Sequence, residues 1–481
     1  MTPQGPTGPD GDDARPGEAC GVFGVYAPGQ DASHIAFYGL FALQHRGQES
    51  AGIAASDGAT VTVYKDMGLV AQVFDERALA PLEGHLAIGH TRYSTTGSTR
   101  WENAQPVHRQ IGATSIALGH NGNLTNTAAL SRSLGLHGSG TDSELMLEAI
   151  ARRVDDGRSD ARGLEVALAE VLPRFEGAFS LVLMDQGRLV GVRDPNGFRP
   201  LCIGRLGPNG WVLASETAAL DLVGAAFVRD VEPGEMVVID AGGLRSLHPF
   251  GRRDPRLCVF EFVYFARPDS RLAGRNVFTA RQEMGRELAR EHPVDADVVV
   301  PVPESGIPAA QGFAEISGIS YADGLIKNRY IGRTFIEPTQ LIRDRGIRLK
   351  LNPIPSTIEG RRVVLVDDSI VRGSTTRQLV QMVRDAGAAE IHLRVSSPPY
   401  RWPCFYGMDT SDQTRLLAAR MSVDEIRDEL GVDSLGYLSL EGLMAAAGGA
   451  ETGFCHACLS GEYPTDVSSA SGKFVLEPTS P

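Results

Sequence analysis

Apolar positions along this 481-residue chain change their spacing near its middle. From residue 20 to about 245 they fall in short runs: GIAAS (52–56), TVTVYKD (60–66), HLAIGHTRY (85–93), SIALGHNGNL (115–124), FSLVLMD (179–185) and EMVVID (235–240). Gly, Asn and Asp separate the runs, which is the turn grammar of antiparallel sheets. Two helical patterns interrupt them. One covers about 32–45 and brings Ile35, Leu40 and Leu43 toward one face. The other opens at TDSELMLEAIARRV, where Thr141 and Glu144 stand at the spacing of a capping box. Strands that build sheets, with helices outside them, predict a layered α/β sandwich.

From about 255 to 400 the pattern becomes strand–helix alternation. FTARQEMGRELAREH reads as a helix, ADVVVPVP as a strand, IPAAQGFAEI as a helix and RRVVLVDD as a buried strand. SIVRGST is then a loop, TRQLVQMVRDAG a helix and IHLRV a strand. β-branched strands alternating with helices predict a doubly wound parallel sheet. The rest is expected to be helical to about 447, followed by a cysteine-bearing tail. No internal repeat is visible. The first nineteen residues stand apart: four Pro, four Gly and four acidic residues against one Arg. They cannot bury apolar surface and are expected to be disordered. They lack the basic start and apolar run of a secretory signal.

Composition narrows the classes. Hydrophobic residues make up 42% and charged residues 22%, an ordinary globular balance. The length suits roughly two to four domains. A net charge of −13 argues against nucleic acid as the main partner. No apolar stretch approaches the ~20 residues that span a bilayer. With no export signal, the six cysteines are expected in a reducing cytoplasm, where catalysis or metal binding explains them better than disulfides.

The strongest chemistry lies in VVLVDDSIVRGST (363–375). A buried strand ends at two adjacent carboxylates, and a Gly-containing loop then opens a helix. Backbone N–H groups from Ser369 to Thr375, with the helix N-terminus, suit a phosphate. Asp367 and Asp368 stand where vicinal hydroxyls or Mg²⁺ need oxygen acceptors. The motif resembles the phosphoribosyl-pyrophosphate (PRPP) motif of type I phosphoribosyltransferases. That resemblance implies that the two acids hold the ribose hydroxyls and that Ser369, Arg372, Gly373, Ser374 and Thr375 take the 5′-phosphate. PVPESG (301–306) then corresponds to the pyrophosphate loop, with Ser305 joining Asp367 and Asp368 around Mg²⁺. KNRYIGRTFIEPTQLIRDRGIRLK (327–350), with seven basic and two acidic residues, resembles the flap that closes over PRPP, so Lys327 and Arg333 are expected to bind it.

CGVFGVY, LQHRGQESAGI (43–53), GHTRYSTTG (89–97), GHNGNL (119–124) and TDSE (141–144) occur in that order. Together they resemble the glutaminase domain of the N-terminal-nucleophile class, an αββα sandwich. Joined to the transferase half, the resemblance is to the glutamine phosphoribosylpyrophosphate amidotransferase family, from Cys20 to about residue 465. It implies a propeptide at 1–19, a glutaminase domain at 20–250, a phosphoribosyltransferase domain at 251–420 and a helical, cluster-binding tail at 421–481. Amide hydrolysis needs a strong nucleophile, which Cys20 supplies. As the first residue of a mature chain, its α-amine, with an ordinary pKa of roughly 7.7–8.0, is a general base at hand. Asn121 and the Gly122 N–H are the expected oxyanion donors. Arg92 suits the glutamine carboxylate and Asp142 its ammonium. Arg46, Thr95 and His90 are expected to support that pocket. Cys202 matches no role and reads as a buried hydrophobe. Glu304 stands where related loops often carry Asp.

Two other classes fit less well. A sugar-phosphate amidotransferase lacks the PRPP motif, and a PRPP-sensing regulator needs no nucleophile. The resemblance further implies glutamine and PRPP as substrates, feedback by purine nucleotides (AMP, GMP, ADP, GDP), a homodimer or homotetramer, and one Mg²⁺ per subunit. FCHACLSG places Cys455 and Cys458 at C-x₂-C spacing, with Cys258 and Cys404 far upstream. Four thiolates suit structural zinc or an iron–sulfur cluster, and spacing does not choose. The resemblance, to a branch with both a propeptide and a cluster, implies one [4Fe–4S] cluster on Cys258, Cys404, Cys455 and Cys458.

Overall fold

The structure is a computed structural model, and it describes residues 19–93, 100–136, 140–155, 163–328, 351–449 and 453–467. The leader through residue 18, Thr95, and the flap segment 329–350 with Arg333 therefore lie outside the described residues. The chain forms two compact units. The larger takes the described residues to Ala280, Pro403–Ser411, and those from Ala447 on; the smaller takes the described residues of Arg281–Trp402 and Asp412–Ala446. Residues 251–280 and the cysteine tail, expected with the transferase half or beyond it, thus group with the first unit.

Thirteen strands form two antiparallel sheets in the larger unit. They are β1 (Gly21–Tyr26), β2 (Ser50–Ser56), β3 (Val61–Met67), β4 (Leu86–Arg92), β5 (Val107–Ile111), β6 (Thr114–Leu124) and β7 (Gly177–Met184). After them come β8 (Leu189–Arg193), β9 (Cys202–Leu206), β10 (Gly210–Ala214), β11 (Ala226–Asp230), β12 (Met236–Asp240) and β13 (Gly243–Leu247). One sheet runs β11-β9-β10-β1-β4-β2-β3, the other β13-β12-β8-β7-β6-β5. Side chains alternate across each strand, so successive residues enter different cores. Val22, Ile88, Ala117, Val182, Leu213 and Val237 pack between the sheets. Phe23, Val25 and Ile53 point the other way and pack with Leu40 of the helix Ala32–Ala42 and with Leu43 at its C-cap. On the far side, Ile116, Leu118, Leu181 and Leu183 pack with Leu145 and Ile150 of Asp142–Asp155 and Leu168 of Gly163–Val171. This is the expected αββα layering. Burial on both faces also explains why β1, β4 and β7 read as continuous apolar runs.

Seven strands were not among the predicted runs: β1, β5, β8, β9, β10, β11 and β13. Nor were the helices Thr127–Ser133, Gly163–Val171 and Thr217–Val223 predicted. These elements are short, and the sheet pairing and packing of the folded unit hold them. The edge strand β11, AFVRD, is largely exposed and pairs with β9 across a bulge.

In the smaller unit, Val298–Pro301, Arg362–Asp367, Glu390–Val395 and Ser434–Tyr437 form a parallel sheet in that order. Tyr321 adds a parallel bridge on the outer side of Val299. The spatial order therefore reverses direction between Val298–Pro301 and Arg362–Asp367. Ligands of open parallel sheets bind outside the strand C-termini at such a switch point. Ser434–Tyr437 corrects the expectation of a wholly helical segment to 447: SLGY completes the sheet edge between the helices Val423–Leu430 and Leu440–Ala447. Leu325–Lys327 pairs with Leu351–Pro353 as an antiparallel ribbon, which brings together the two ends of the flap segment.

Candidate active sites

Cys20 immediately precedes β1, the middle strand of its sheet. Antiparallel pairing sets Gly21 opposite Thr91, so the end of β4 delivers Arg92 beside the thiol. The end of β6 in the facing sheet brings Asn121 and Gly122, and the first turn of Asp142–Asp155 brings Asp142. Cys20, Arg92, Tyr93, Gln105, His120, Gly122, Thr141, Asp142 and Ser143 line one small cavity. The Tyr93 N–H lies 3.4 Å from Cys20 Sγ, and the sulfur lies 3.3 Å from the Tyr93 carbonyl. Burial pushes the thiol up, while the Tyr93 hydrogen bond and Arg92 pull it down; burial prevails. A thiol held neutral this way needs a base to reach its nucleophilic form.

The oxyanion donors have a visible signature. Asn121 Nδ2 is buried and has no hydrogen-bond partner among the described residues. Such orphan donors are rare in folded proteins and mark a place where something binds. Gly122 has φ +148°, and a Cβ there would lie 2.1 Å from the Ala178 carbonyl oxygen, so only glycine brings this N–H to the cavity.

Asp142 accepts the Ser143 N–H at 2.9 Å and the Leu124 N–H at 3.2 Å, with His120 Nδ1 3.7 Å away. Burial works to raise its carboxyl, but His120 and these N–H groups outweigh it and hold it below its ordinary value. It is thus an anion facing the cavity. Arg92 is buried and 3.6 Å from Glu49. The helix start is also as expected in part: Thr141 Oγ1 accepts the Glu144 N–H, but the Glu144 carboxylate reaches the Gly140 N–H.

Sequence reading missed Gln105, His120 and Ser143. Gln105 Nε2 donates to Ser143 Oγ at 3.0 Å, and its Oε1 accepts the His120 N–H at 2.8 Å. Ser143 Oγ lies 3.2 Å from His120 Nδ1. The embedding of His120 and Ser143 in the GHNGNL and TDSE segments was the available signal. Two residues expected to support the pocket, Arg46 and His90, are not among the side chains that line the cavity. The Arg46 guanidinium is engaged by Glu216, Glu261 and the Cys20 carbonyl. His90 is fully buried, 2.9 Å from the His120 carbonyl, and burial pushes it down to about 3, so it is neutral.

The second site lies at the switch point of the smaller unit. Asp367 Oδ1 accepts the Asp368 N–H at 2.9 Å. Ser369 Oγ donates to Asp368 Oδ1 at 2.5 Å, and Ser305 donates to Asp368 Oδ2, which joins the PVPESG loop to the acidic pair. Gly373, at φ +81°, opens the helix Ser374–Asp385, and Ser374 Oγ is buried with no partner among the described residues. An orphaned hydroxyl at a helix N-terminus suits an anionic oxygen. Arg372, together with Arg377 and Arg420, lines a cavity of about 450 Å³ beside this loop. Lys327 stands 3.8 Å from Glu304.

Four of the five cysteines outside the nucleophile site, Cys258, Cys404, Cys455 and Cys458, lie near one another. Cys258 and Cys455 are register neighbours on the paired strands Leu257–Cys258 and Phe454–Cys455, and Cys458 lies in the turn Ala457–Ser460. All are buried and free, as is Cys202. Burial pushes Cys458 well up, and the nearby Cys404, Cys258 and Cys455 add to the rise. Among the described residues, no three His, Cys, Asp or Glu side chains stand close enough to hold a single metal ion.

The chain matches the glutamine amidotransferase domain family over residues 90–222 and the phosphoribosyl transferase domain family over 274–398. It is 54% identical to an amidophosphoribosyltransferase of Mycobacterium tuberculosis, over 98% of this chain and 91% of that one. The chain belongs to the amidophosphoribosyltransferase family. An amidophosphoribosyltransferase of Bacillus subtilis is 46% identical, covering 94% of this chain and 95% of that one. A solved structure, described as glutamine phosphoribosylpyrophosphate amidotransferase from B. subtilis complexed with ADP and GMP, superposes with a TM-score of 0.88. It is 45% identical and covers 95% of this chain and all of that one.

For an amidophosphoribosyltransferase, the orphaned Asn121 amide yields a direct test. Asn121→Ala is expected to lower kcat for glutamine hydrolysis by about 10²–10³, the usual loss for one oxyanion donor. Synthesis from free ammonia should be preserved. Steady-state assays with each nitrogen source check this, and an Ala variant with unchanged glutamine kcat removes Asn121 from the oxyanion hole.

Proposed function

We propose that the chain hydrolyses glutamine at Cys20 and adds the ammonia to C1 of PRPP, giving 5-phosphoribosylamine, pyrophosphate and glutamate, the first step of de novo purine (IMP) synthesis. One observation carries the reading: each unit presents an unpartnered buried donor, Asn121 or Ser374, at the place where its half-reaction develops or binds negative charge.

In the first half-reaction the Cys20 thiolate attacks the glutamine amide carbon. Asn121 and the Gly122 N–H receive the oxyanion, ammonia leaves, and water releases glutamate from the thioester. Arg92 and Asp142 hold the substrate's α-carboxylate and α-ammonium, and Thr95 completes the pocket. Arg46 supports it from behind through the Cys20 carbonyl, 3.2 Å from Nε. Removal of the leader through Ala19 frees the Cys20 α-amine as general base. In the second half-reaction the ammonia lone pair attacks C1 while the C1–O bond to pyrophosphate breaks. Asp367 and Asp368 hold the ribose hydroxyls, and Ser369, Arg372, Gly373, Ser374 and Thr375 the 5′-phosphate. Lys327 and Arg333 bring positive charge to the pyrophosphate. Ser305, Asp367 and Asp368 form a hard oxygen set that fits Mg²⁺, which when bound neutralises charge on the departing pyrophosphate; such an ion takes one or two carboxylates plus substrate oxygens.

Cys258, Cys404, Cys455 and Cys458 fit a [4Fe–4S] cluster. These four buried free thiols are the side chains that would hold the group, and thiolate is the ligand such clusters take. The cluster supplies no chemistry to the reaction; it ties the tail to the larger unit. Free thiols throughout suit a reducing cytoplasm. Nucleotide feedback is supported by the ADP and GMP bound in the B. subtilis structure. We assign the assembly as a homodimer or homotetramer on family grounds.

Three outcomes test the reading. Cys20→Ala should abolish glutamine-dependent synthesis and leave ammonia-dependent synthesis intact; residual glutaminase activity assigns the nucleophile elsewhere. The Asp367→Ala, Asp368→Ala double variant should lose synthesis from both nitrogen sources while basal glutaminase persists, and unchanged PRPP affinity by calorimetry would remove the ribose role. Protein purified without air should be brown, carry about four irons per chain and show an intact mass beginning at Cys20. Colourless protein with one zinc would replace the cluster by zinc.

A further inference from the structure

The segment Pro403–Ser411 carries Cys404 and belongs to the larger unit, although more than a hundred residues of the smaller unit precede it in the chain. Its backbone touches the oxyanion strand directly. Asn123 Nδ2, next to Gly122, donates to the Phe405 carbonyl at 3.0 Å. A Cβ on Gly407, at φ +109°, would lie 3.2 Å from Gly122 C and 2.9 Å from Arg199 Nη2. The Gly407 backbone is therefore seated against Gly122 itself, in a conformation that side chains rarely adopt.

The same segment reaches the nucleophile by a second, wholly buried route. Arg199 donates to the Tyr406 carbonyl from Nη2 at 2.9 Å and Nε at 3.1 Å, and to Glu261 Oε1 at 3.2 Å. Glu261 accepts two bonds from Arg46, at 2.8 and 3.0 Å, and Arg46 Nε donates to the Cys20 carbonyl at 3.2 Å. Arg46, Arg199 and Glu261 are essentially unexposed, so each has few alternative arrangements that keep its charge compensated. At its other end the segment is tied to the cysteine centre. The Tyr406 N–H donates to Cys404 Sγ at 3.4 Å, and the Tyr406 ring stacks on Phe198, centroids 4.2 Å apart. The Phe198 carbonyl accepts the Cys258 N–H at 3.0 Å.

We propose that Pro403–Ser411, anchored at the cysteine centre, positions the glutaminase site: Gly407 and Asn123 set the Gly122 donor, and Arg199 and Glu261, through Arg46, set the Cys20 backbone. Gly407, Asn123, Arg199 and Glu261 are positioning residues; none touches substrate. The ammonia reaction is built on residues of the other unit and does not use this segment. The inference rests on the glutaminase reading above.

Gly407→Ala in the full-length protein tests it. Misplacing a catalytic group by about 1 Å costs as much as 10²-fold, so kcat for glutamine hydrolysis should fall about 10–100-fold. KM for glutamine should change less than about threefold, ammonia-dependent kcat should stay within about twofold, and iron content should match wild type, since Gly407 lies outside both the substrate and cysteine ligand sets. Because both changes act on one oxyanion site, Gly407→Ala with Asn121→Ala should lose less than the product of the two single losses. A wild-type glutamine kcat, parallel loss of both activities, or fully multiplicative losses would overturn the proposal. Should Gly407→Ala not fold, Asn123→Ala, which removes the Phe405 bond without adding bulk, must show the same split, and a wild-type kcat there overturns it. Wild-type protein without glutaminase activity overturns the underlying reading instead, whereas an active wild type with unmoved variants overturns this inference alone.

Discussion

The register of β1 is the constraint on which the larger unit depends. β1 lies between β10 and β4, with Phe23 opposite Gly89 and Ala214. Val22 enters the core between the sheets and Phe23 the core beneath the helix. A one-residue slip would exchange these faces and send each side chain into the wrong one of two packed cores. Misfit in two close-packed cores, where overpacking costs about 1–3 kcal/mol per site, makes that slip prohibitive. Cys20 inherits this precision because nothing intervenes between it and the strand. Arg92 inherits it through the Gly21–Thr91 pairing. The nucleophile is therefore placed by core packing rather than by its own contacts.

The two sites handle charge differently. In the larger unit, Arg46, Arg199, Glu216 and Glu261 are buried together, and their pairing offsets a desolvation cost of several kcal/mol per ion. Glu216 is held far below its ordinary value: burial opposes ionisation, but His45 and Arg46 overcome it. Such a network is rigid, which suits a reaction whose oxyanion must meet fixed donors. The transferase site instead sits at the open end of a parallel sheet, with its acids and helix N-terminus facing a place for substrate. Its positive charge comes from arginines and from Lys327 on a short ribbon. That arrangement suits a highly charged substrate, whose binding energy can be spent on ordering the site.

Local sequence determined much of this. The run RRVVLVDD, followed by a Gly loop and an amphipathic helix, specified a strand end with two carboxylates at a helix N-terminus, because strand periodicity, turn chemistry and helix spacing are all local properties. The C-x₂-C pair and the nucleophile with its neighbouring motifs were legible for the same reason. Tertiary structure alone decided what depends on partners remote in the chain. The strands β8 to β11, and Ser434–Tyr437, are too short to declare themselves and exist because neighbouring strands complete their hydrogen bonds. The sequence marked Arg46 as a support of the glutamine pocket, but only the fold shows that its guanidinium reaches Glu261, more than two hundred residues away. The loop carrying Cys404 looked like part of the transferase half, yet it packs on Gly122, because only the folded chain brings the Gly407 and Gly122 backbones into contact.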